Sequence, residues 1–223
     1  MTTPTESLLI DEPTAEVAAT LILAHGAGAP MDSPFMTTMA ALLAARGVRV
    51  VRFEFPYMRR RRIEGVRQPP NRQPVLLDSW RAVYAAVSQR FAGPVLVGGK
   101  SMGGRMATLV AEELGCAGVV CLGYPAHPPG KPDNLRIAAL ETTVVPTLIV
   151  QGERDPFGRR DELAGRDWSA QVEWCWASDG DHDLKPRKAS GRTHEDNLVM
   201  AADATAQWWQ RLSAPASQRG HGA

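Results

Sequence analysis

Apolar residues along the 223-residue chain fall into short runs of Val, Ile and Leu, each closed by glycine or proline and separated by longer amphipathic stretches. "AATLILAHG" predicts a strand ending in a glycine turn. "SPFMTTMAALLAARG" predicts a helix with Ser33 as N-cap, Pro34 in the first turn and Gly47 as its stop. The same alternation continues through strand "VRVVRFEFP", helix "VLLDSWRAVYAAVSQRF", strand "PVLVGG" and a helix from Met102 to Glu113 with Met106, Leu109 and Val110 on one stripe. Three more strands, "AGVVCLGYP", "PTLIVQGE" and "VEWCWAS", precede a closing helix, "HEDNLVMAADATAQWWQRL". Near-continuous apolar runs without period-2 polarity belong to parallel strands covered on both faces. The expectation is a three-layer α/β/α domain over residues 15–212, with a mostly parallel sheet of six to seven strands. Residues 1–14 and 213–223 are small and polar and are expected to be flexible tails.

In a sheet of this kind ligands bind beyond the carboxyl ends of the strands. One such end is "VLVGGKSMGGRMA", where four glycines crowd around Ser101. A very sharp strand-to-helix turn strains its apex residue and brings the positions two before and two after it into collision, which glycine avoids. The apex side chain then stands above the sheet, with backbone N–H groups and the positive end of the helix beside it. Gly99-Lys100-Ser101-Met102-Gly103 fits that G-x-S-x-G pattern. A glycine-rich packing or phosphate turn is the alternative, although Lys100 stands in the wrong order for a Walker loop.

A serine hydroxyl needs a base to take its proton, and the base needs a carboxylate to orient it. The chain order serine, acid, histidine marks the α/β-hydrolase arrangement. Asp155, just past "LIVQG", and His182, in "SDGDHDLKP", follow Ser101 in that order, each after a buried strand. Asp179, Asp181 and Asp183 compete as acids but lie too close to His182 in sequence to be first choice. Donors for a developing oxyanion are expected from the backbone of Met102, after the serine, and of Ala27 in "HGAGAPMDS", with Gly28 next. Gly28, Tyr57, Arg59, Tyr124 and His127 follow strand ends and are candidates for touching substrate; His127 reads equally well as cavity wall or solvated residue. His25 is expected to brace its own loop, and His194 to decorate a helix start.

Several sequence blocks, "LILAHGAGAPMDSPFM", "VRFEFPYM", "GGKSMGGRMA", "GYPAHPPGKP" and "LIVQGERDPFG", resemble the small α/β-hydrolase family of the testis-expressed type. This group of dienelactone-hydrolase-like predicted hydrolases also includes a subunit of a chromatin acetyltransferase (NSL) complex. The likeness runs from about Leu21 to Trp209. It implies an α/β-hydrolase core with Ser101, Asp155 and His182 at the matching positions, and leaves the substrate open. Since one member serves in a complex, a binding or scaffold role with an unused triad is the alternative to hydrolysis.

Composition narrows the partners. A net charge of +1 makes no global case for nucleic acid or an anionic membrane, and no apolar run approaches the roughly 18 residues of a span. The start, "MTTPTESLLIDEPTAE", lacks the basic and apolar parts of a secretion signal, and an odd count of three cysteines suits a reducing cytoplasm. No metal-ligand spacing is present, and the chemistry expected here requires no cofactor. The stretch from Pro125 to Pro146 is too short for a large lid, which favours an open site and a small or protruding ester, thioester or lactone. Arg59–Arg62 and Arg67, in "YMRRRRIEGVRQPPNRQP", read either as an anion-binding or docking loop or as a solvated one. Oligomeric state is not legible.

Overall fold

The computed structural model describes residues 7–215. Its centre is a seven-stranded sheet in the order β1-β3-β2-β4-β5-β6-β7. The strands are β1 Leu9–Asp11, β2 Ala19–Ala24, β3 Val48–Phe53, β4 Val95–Lys100, β5 Gly118–Leu122, β6 Thr147–Gly152 and β7 Val172–Ala177. Every neighbouring pair is parallel except β1 and β3. Strand β2 splits alternately between two cores. Ile22 and Ala24 face one layer with Val51, Val97, Val119 and Ile149; Leu21 and Leu23 face the other with Val50, Leu96, Val120 and Leu148. This double burial explains why the strands read as unbroken apolar runs.

Helices α3 (Gln73–Arg90) and α4 (Met102–Leu114) cover the first face through Trp80, Val83, Met106 and Val110. Helices α1 (Pro34–Ala44) and α7 (His194–Ser213) cover the second through Met36, Met39, Leu43, Leu198 and Trp208. Short helices α2 (Pro56–Glu64), α5 (Ala138–Thr142) and α6 (Arg160–Leu163) lie in the connections. Consecutive strands β2 and β3 step toward one edge, while β4 returns to the other side of β2. A crevice therefore opens beyond the carboxyl ends of β2 and β4, where the strand order reverses.

Three local expectations need correction, and the expected N-cap of α1 falls at its place. Leu9–Asp11, within the segment 1–14 expected to be flexible, instead pairs with β3, and Asp11 meets Arg52 at 2.9 Å. Three residues are too few to show periodicity. Residues 1–6 and 216–223 lie outside the described residues. Leu109 is exposed, and the buried stripe of α4 runs through Met106, Ala107, Val110 and Ala111. Ser33 occupies the N-cap position of α1 without a side-chain capping bond; Pro34 at the first position does the starting. Finally, the arginine run is a helix, α2, closed by Gly65 in the left-handed region at φ 70°. Its arginines form no apolar stripe, so nothing in the hydrophobic pattern announces it.

Candidate active site

The turn from β4 into α4 holds Ser101 at φ 52° and ψ −117°, a conformation that is strained for a residue with a Cβ. Two hydrogen bonds keep it there: the Ser101 N–H donates to the Leu122 carbonyl at 3.0 Å, and the Ser101 carbonyl accepts the Arg105 N–H at 3.0 Å. The flanking glycines are required by contact. A Cβ on Gly99 would stand 2.5 Å from the Ala24 carbonyl, and one on Gly103 would stand 2.7 Å from both the Ala24 and His25 carbonyls. Strand β2 can therefore pass directly against the turn.

His182 reaches Ser101 from the loop after β7. Its Nδ1 lies 2.8 Å from Asp155 Oδ2 and its Nε2 lies 2.9 Å from Ser101 Oγ. A carboxylate only accepts, so Nδ1 carries the proton and Nε2 is left to accept from the serine hydroxyl. Asp155 is fully buried. Its other oxygen accepts the Phe157 N–H at 2.8 Å, and Oδ2 also accepts from Gln151 Nε2 at 3.0 Å. Gln151 itself bonds the Tyr124 N–H (2.6 Å), the Tyr124 carbonyl (3.1 Å) and the Gly158 carbonyl (3.0 Å), which fixes the loop that carries the acid. The Phe157 ring lies over the imidazole at 4.3 Å.

The rival acids are engaged elsewhere. Asp179 pairs with Arg154 at 2.9 Å and clasps Arg187, whose guanidinium and N–H hold its carboxyl down to about 2. Asp181 accepts the N–H groups of Asp183 and Lys185 in its own turn. Asp183 meets Lys100 at 3.2 Å.

Lys100 is a site residue that sequence reasoning passed over. Its side chain is buried beside the serine, and its ammonium donates to the backbone carbonyl of His182 at 2.6 Å. Burial pushes the lysine below its usual range, against the pull of Asp183. Beneath this contact is Gly123, at φ 70°. A Cβ there would approach the His182 carbonyl to 2.7 Å, Lys100 Nζ to 3.2 Å and His182 Nδ1 to 3.3 Å. Serine strand and histidine loop are thus tied by one ammonium over one glycine.

The loop after β2 faces the serine from the other side of the crevice. His25 braces it as expected: Nδ1 donates to the Gly26 carbonyl at 2.7 Å and Nε2 accepts the Phe55 N–H at 3.1 Å. Burial lowers its pKa and keeps the ring neutral. Helix α2 holds the carbonyls of this loop. The Tyr57 hydroxyl lies 3.2 Å from the Gly26 carbonyl and 3.1 Å from that of Ala27, and Arg61 donates to the Gly28 carbonyl at 3.2 Å. Among the described residues the Ala27 N–H has no backbone acceptor. The Met102 N–H opens α4 and so has no acceptor within the helix.

A cavity of about 480 Å³ spans the crevice, with Ser101 and His182 on one side, Ala27 and Gly28 on the other, and Phe35 and Phe157 among its apolar walls. Of the residues expected to touch substrate, Gly28 lines it, whereas Tyr57, Arg59, Tyr124 and His127 do not. Tyr57 is buried behind the loop. Tyr124 is buried with its hydroxyl on the Arg136 carbonyl at 2.8 Å, and His127 is buried against Glu162 at 3.2 Å. His194, at the start of α7, does line the cavity and bonds the Asp183 carbonyl at 2.8 Å. Between Tyr124 and β6 the chain builds only the five-residue helix α5, and no lid covers the site. Among the described residues no group of three His, Cys, Asp or Glu could hold a metal, and no helix is long and apolar enough to cross a membrane.

This sheet order, with a serine at a strained strand–helix turn, defines the α/β-hydrolase fold. The chain belongs to the α/β-hydrolase domain family, whose model matches residues 17–210. An α/β serine hydrolase without a lid from Xanthomonas campestris is similar at TM-score 0.71 and 20% identity, over 93% of this chain and 90% of that one. An α/β serine hydrolase homologue from Coxiella burnetii gives 0.69 and 20%, over 90% and 89%. Dienelactone hydrolase from Anabaena variabilis gives 0.66 and 19%, over 93% and 94%.

Proposed function

We propose that this hydrolase-fold protein cleaves a small ester, thioester or lactone through an acyl-enzyme on Ser101. The observation that carries the reading is the unbroken relay from Ser101 Oγ to His182 to Asp155, at 2.9 and 2.8 Å. In this reading the Ser101 oxygen attacks the substrate carbonyl while His182 Nε2 takes its proton. Asp155 holds the Nδ1–H tautomer and stabilises the imidazolium. The Ala27 and Met102 N–H groups receive the oxyanion, each such donor contributing about 3 kcal/mol to the transition state. His182 then protonates the leaving group, and water, activated by the same imidazole, releases the acid. No step calls for a cofactor. Phe35 and Phe157 suit a short apolar or aromatic group beside the carbonyl.

The intact relay speaks against a pure scaffold role, because a vestigial site has no need of a strained apex serine. The narrower kinship, with the testis-expressed type, rests on the sequence blocks quoted above. The free thiols Cys116, Cys121 and Cys175 suit a reducing compartment and a cytoplasmic enzyme. A fluorophosphonate probe tests the reading. It is expected to label one serine stoichiometrically, to fail on Ser101→Ala and to label His182→Ala far more slowly. Absence of labelling in the well-folded wild type would favour the scaffold role.

A further inference from the structure

Four arginines of α2 and the turn after it, Arg60, Arg61, Arg62 and Arg67, meet different fates. Arg60 pairs with Glu64 at 3.6 Å. Arg62 is clamped between Glu54 at 2.6 Å and Asp32 at 2.8 Å. Arg61 has no carboxylate within ion-pair distance among the described residues; its guanidinium donates to the Gly28 carbonyl. Arg67 is exposed and has neither an ion pair nor a hydrogen bond among the described residues. Arg61 and Arg67 together line a second cavity, of about 420 Å³, with Gln68, Pro69 and Pro70. Its remaining wall is Ala27 and Gly28, which also bound the cavity at Ser101. The two cavities adjoin across the oxyanion loop.

We propose that this cleft is an anion subsite, which receives a carboxylate or phosphate borne by the substrate some bonds away from the scissile carbonyl. Three observations converge. Arginines such as Arg46, Arg81 and Arg211 are neutralised by carboxylates, those of Asp203, Glu113 and Glu173. Here two guanidiniums share one cavity that no acidic residue lines. Guanidinium forks match planar and tetrahedral oxyanions with paired donors, and an anion between two of them relieves their mutual repulsion. The walls are also preset. Pro69 and Pro70 stiffen the far side, and the Gly28 carbonyl holds Arg61 from behind. Pro69, Pro70 and Ala27 offer apolar surface for the hydrocarbon between anion and ester. A concave cleft that shares its Ala27–Gly28 wall with the cavity at Ser101 fits a small substrate better than it fits the surface of an acidic protein.

Placing the anion on a substrate rests on the hydrolase reading; the binding itself does not. The test therefore measures binding to the Ser101→Ala protein by calorimetry, using monomethyl glutarate, its neutral dimethyl ester, glutarate and inorganic phosphate. The charged monoester is expected to bind about tenfold more tightly than the diester, the value of one charge-assisted hydrogen bond of about 1.4 kcal/mol. Arg67→Gln removes most of that preference, Arg67→Glu reverses it, and Arg60→Gln leaves it intact. Phosphate displacing the monoester at lower concentration than glutarate does assigns the subsite to phosphates; the reverse order assigns it to carboxylates. Equal binding of charged and neutral esters, or a preference that survives Arg67→Glu, overturns the proposal. Failure of the fluorophosphonate to label Ser101 overturns the hydrolase reading and leaves this binding result standing.

Discussion

Replacing Lys100 with methionine separates catalysis from stability. The two side chains have similar length, so the change removes an ammonium and little volume. The bond lost to the His182 carbonyl, at 2.6 Å with a charged donor, contributes about 1.5–3 kcal/mol locally. The ion pair with Asp183, whose side chain is 66% exposed, adds at most about 1 kcal/mol. Against both stands the cost of keeping a cation buried, visible in the lowered pKa of the lysine. These contributions oppose each other, and the net change in stability is expected to be within about 1 kcal/mol of zero. Catalysis has no such compensation. The carbonyl that loses its partner belongs to the residue whose Nε2 stands 2.9 Å from Ser101 Oγ. A displacement of about 1 Å at a reacting group costs about 10²-fold in rate. Steady-state kinetics on a p-nitrophenyl ester should show kcat lower by about that factor with KM little changed, while the urea midpoint stays near wild type. Wild-type kcat in a folded Lys100→Met protein, or a kcat loss matched by a collapse in stability, would refute the reasoning.

Two further expectations follow from the same packing. Gly123→Ala combines a left-handed backbone with contacts under 3.4 Å to His182, so it should lose about 1–2 kcal/mol of stability and about 10²-fold in kcat, read by urea denaturation and ester kinetics. If the variant retains full activity, the glycine is not what seats the imidazole. His25 should make the protein sensitive to acid. Its folded pKa is lowered, so its contribution is complete above the unfolded pKa of about 6.5 and is lost as pH falls below that value toward the folded one. An NMR titration should find the His25 midpoint below that of an ordinary imidazole, and an unshifted midpoint would contradict the buried bonds to Gly26 and Phe55.

The relay was legible because each of its members follows a buried apolar run that ends in a small-residue turn. Ser101, Asp155 and His182 could be placed at one sheet edge from strand order alone. Which way a side chain points from a strand end is another matter. Tyr57 and Tyr124 stand just past β3 and β5, yet one turns back to hold loop carbonyls and the other buries its hydroxyl on Arg136. Helix α2 escaped notice because it is fastened by ion pairs from Arg62 to Asp32, 30 residues away, and to Glu54, 8 residues away, neither of which a helical spacing encodes. Lys100 escaped for a related reason: its partner is a backbone carbonyl 82 residues away.

A site with nothing to open needs no trigger. Enzymes that hide their serine beneath a hinged cover wait for a lipid boundary to draw it aside, and their rate jumps when the substrate forms droplets. Here the crevice above β2 and β4 is bare, so rate should climb smoothly with dissolved substrate and show no break at the solubility limit. Discrimination then falls to the rim itself, where two phenyl rings and the first turn of α1 meet whatever diffuses in.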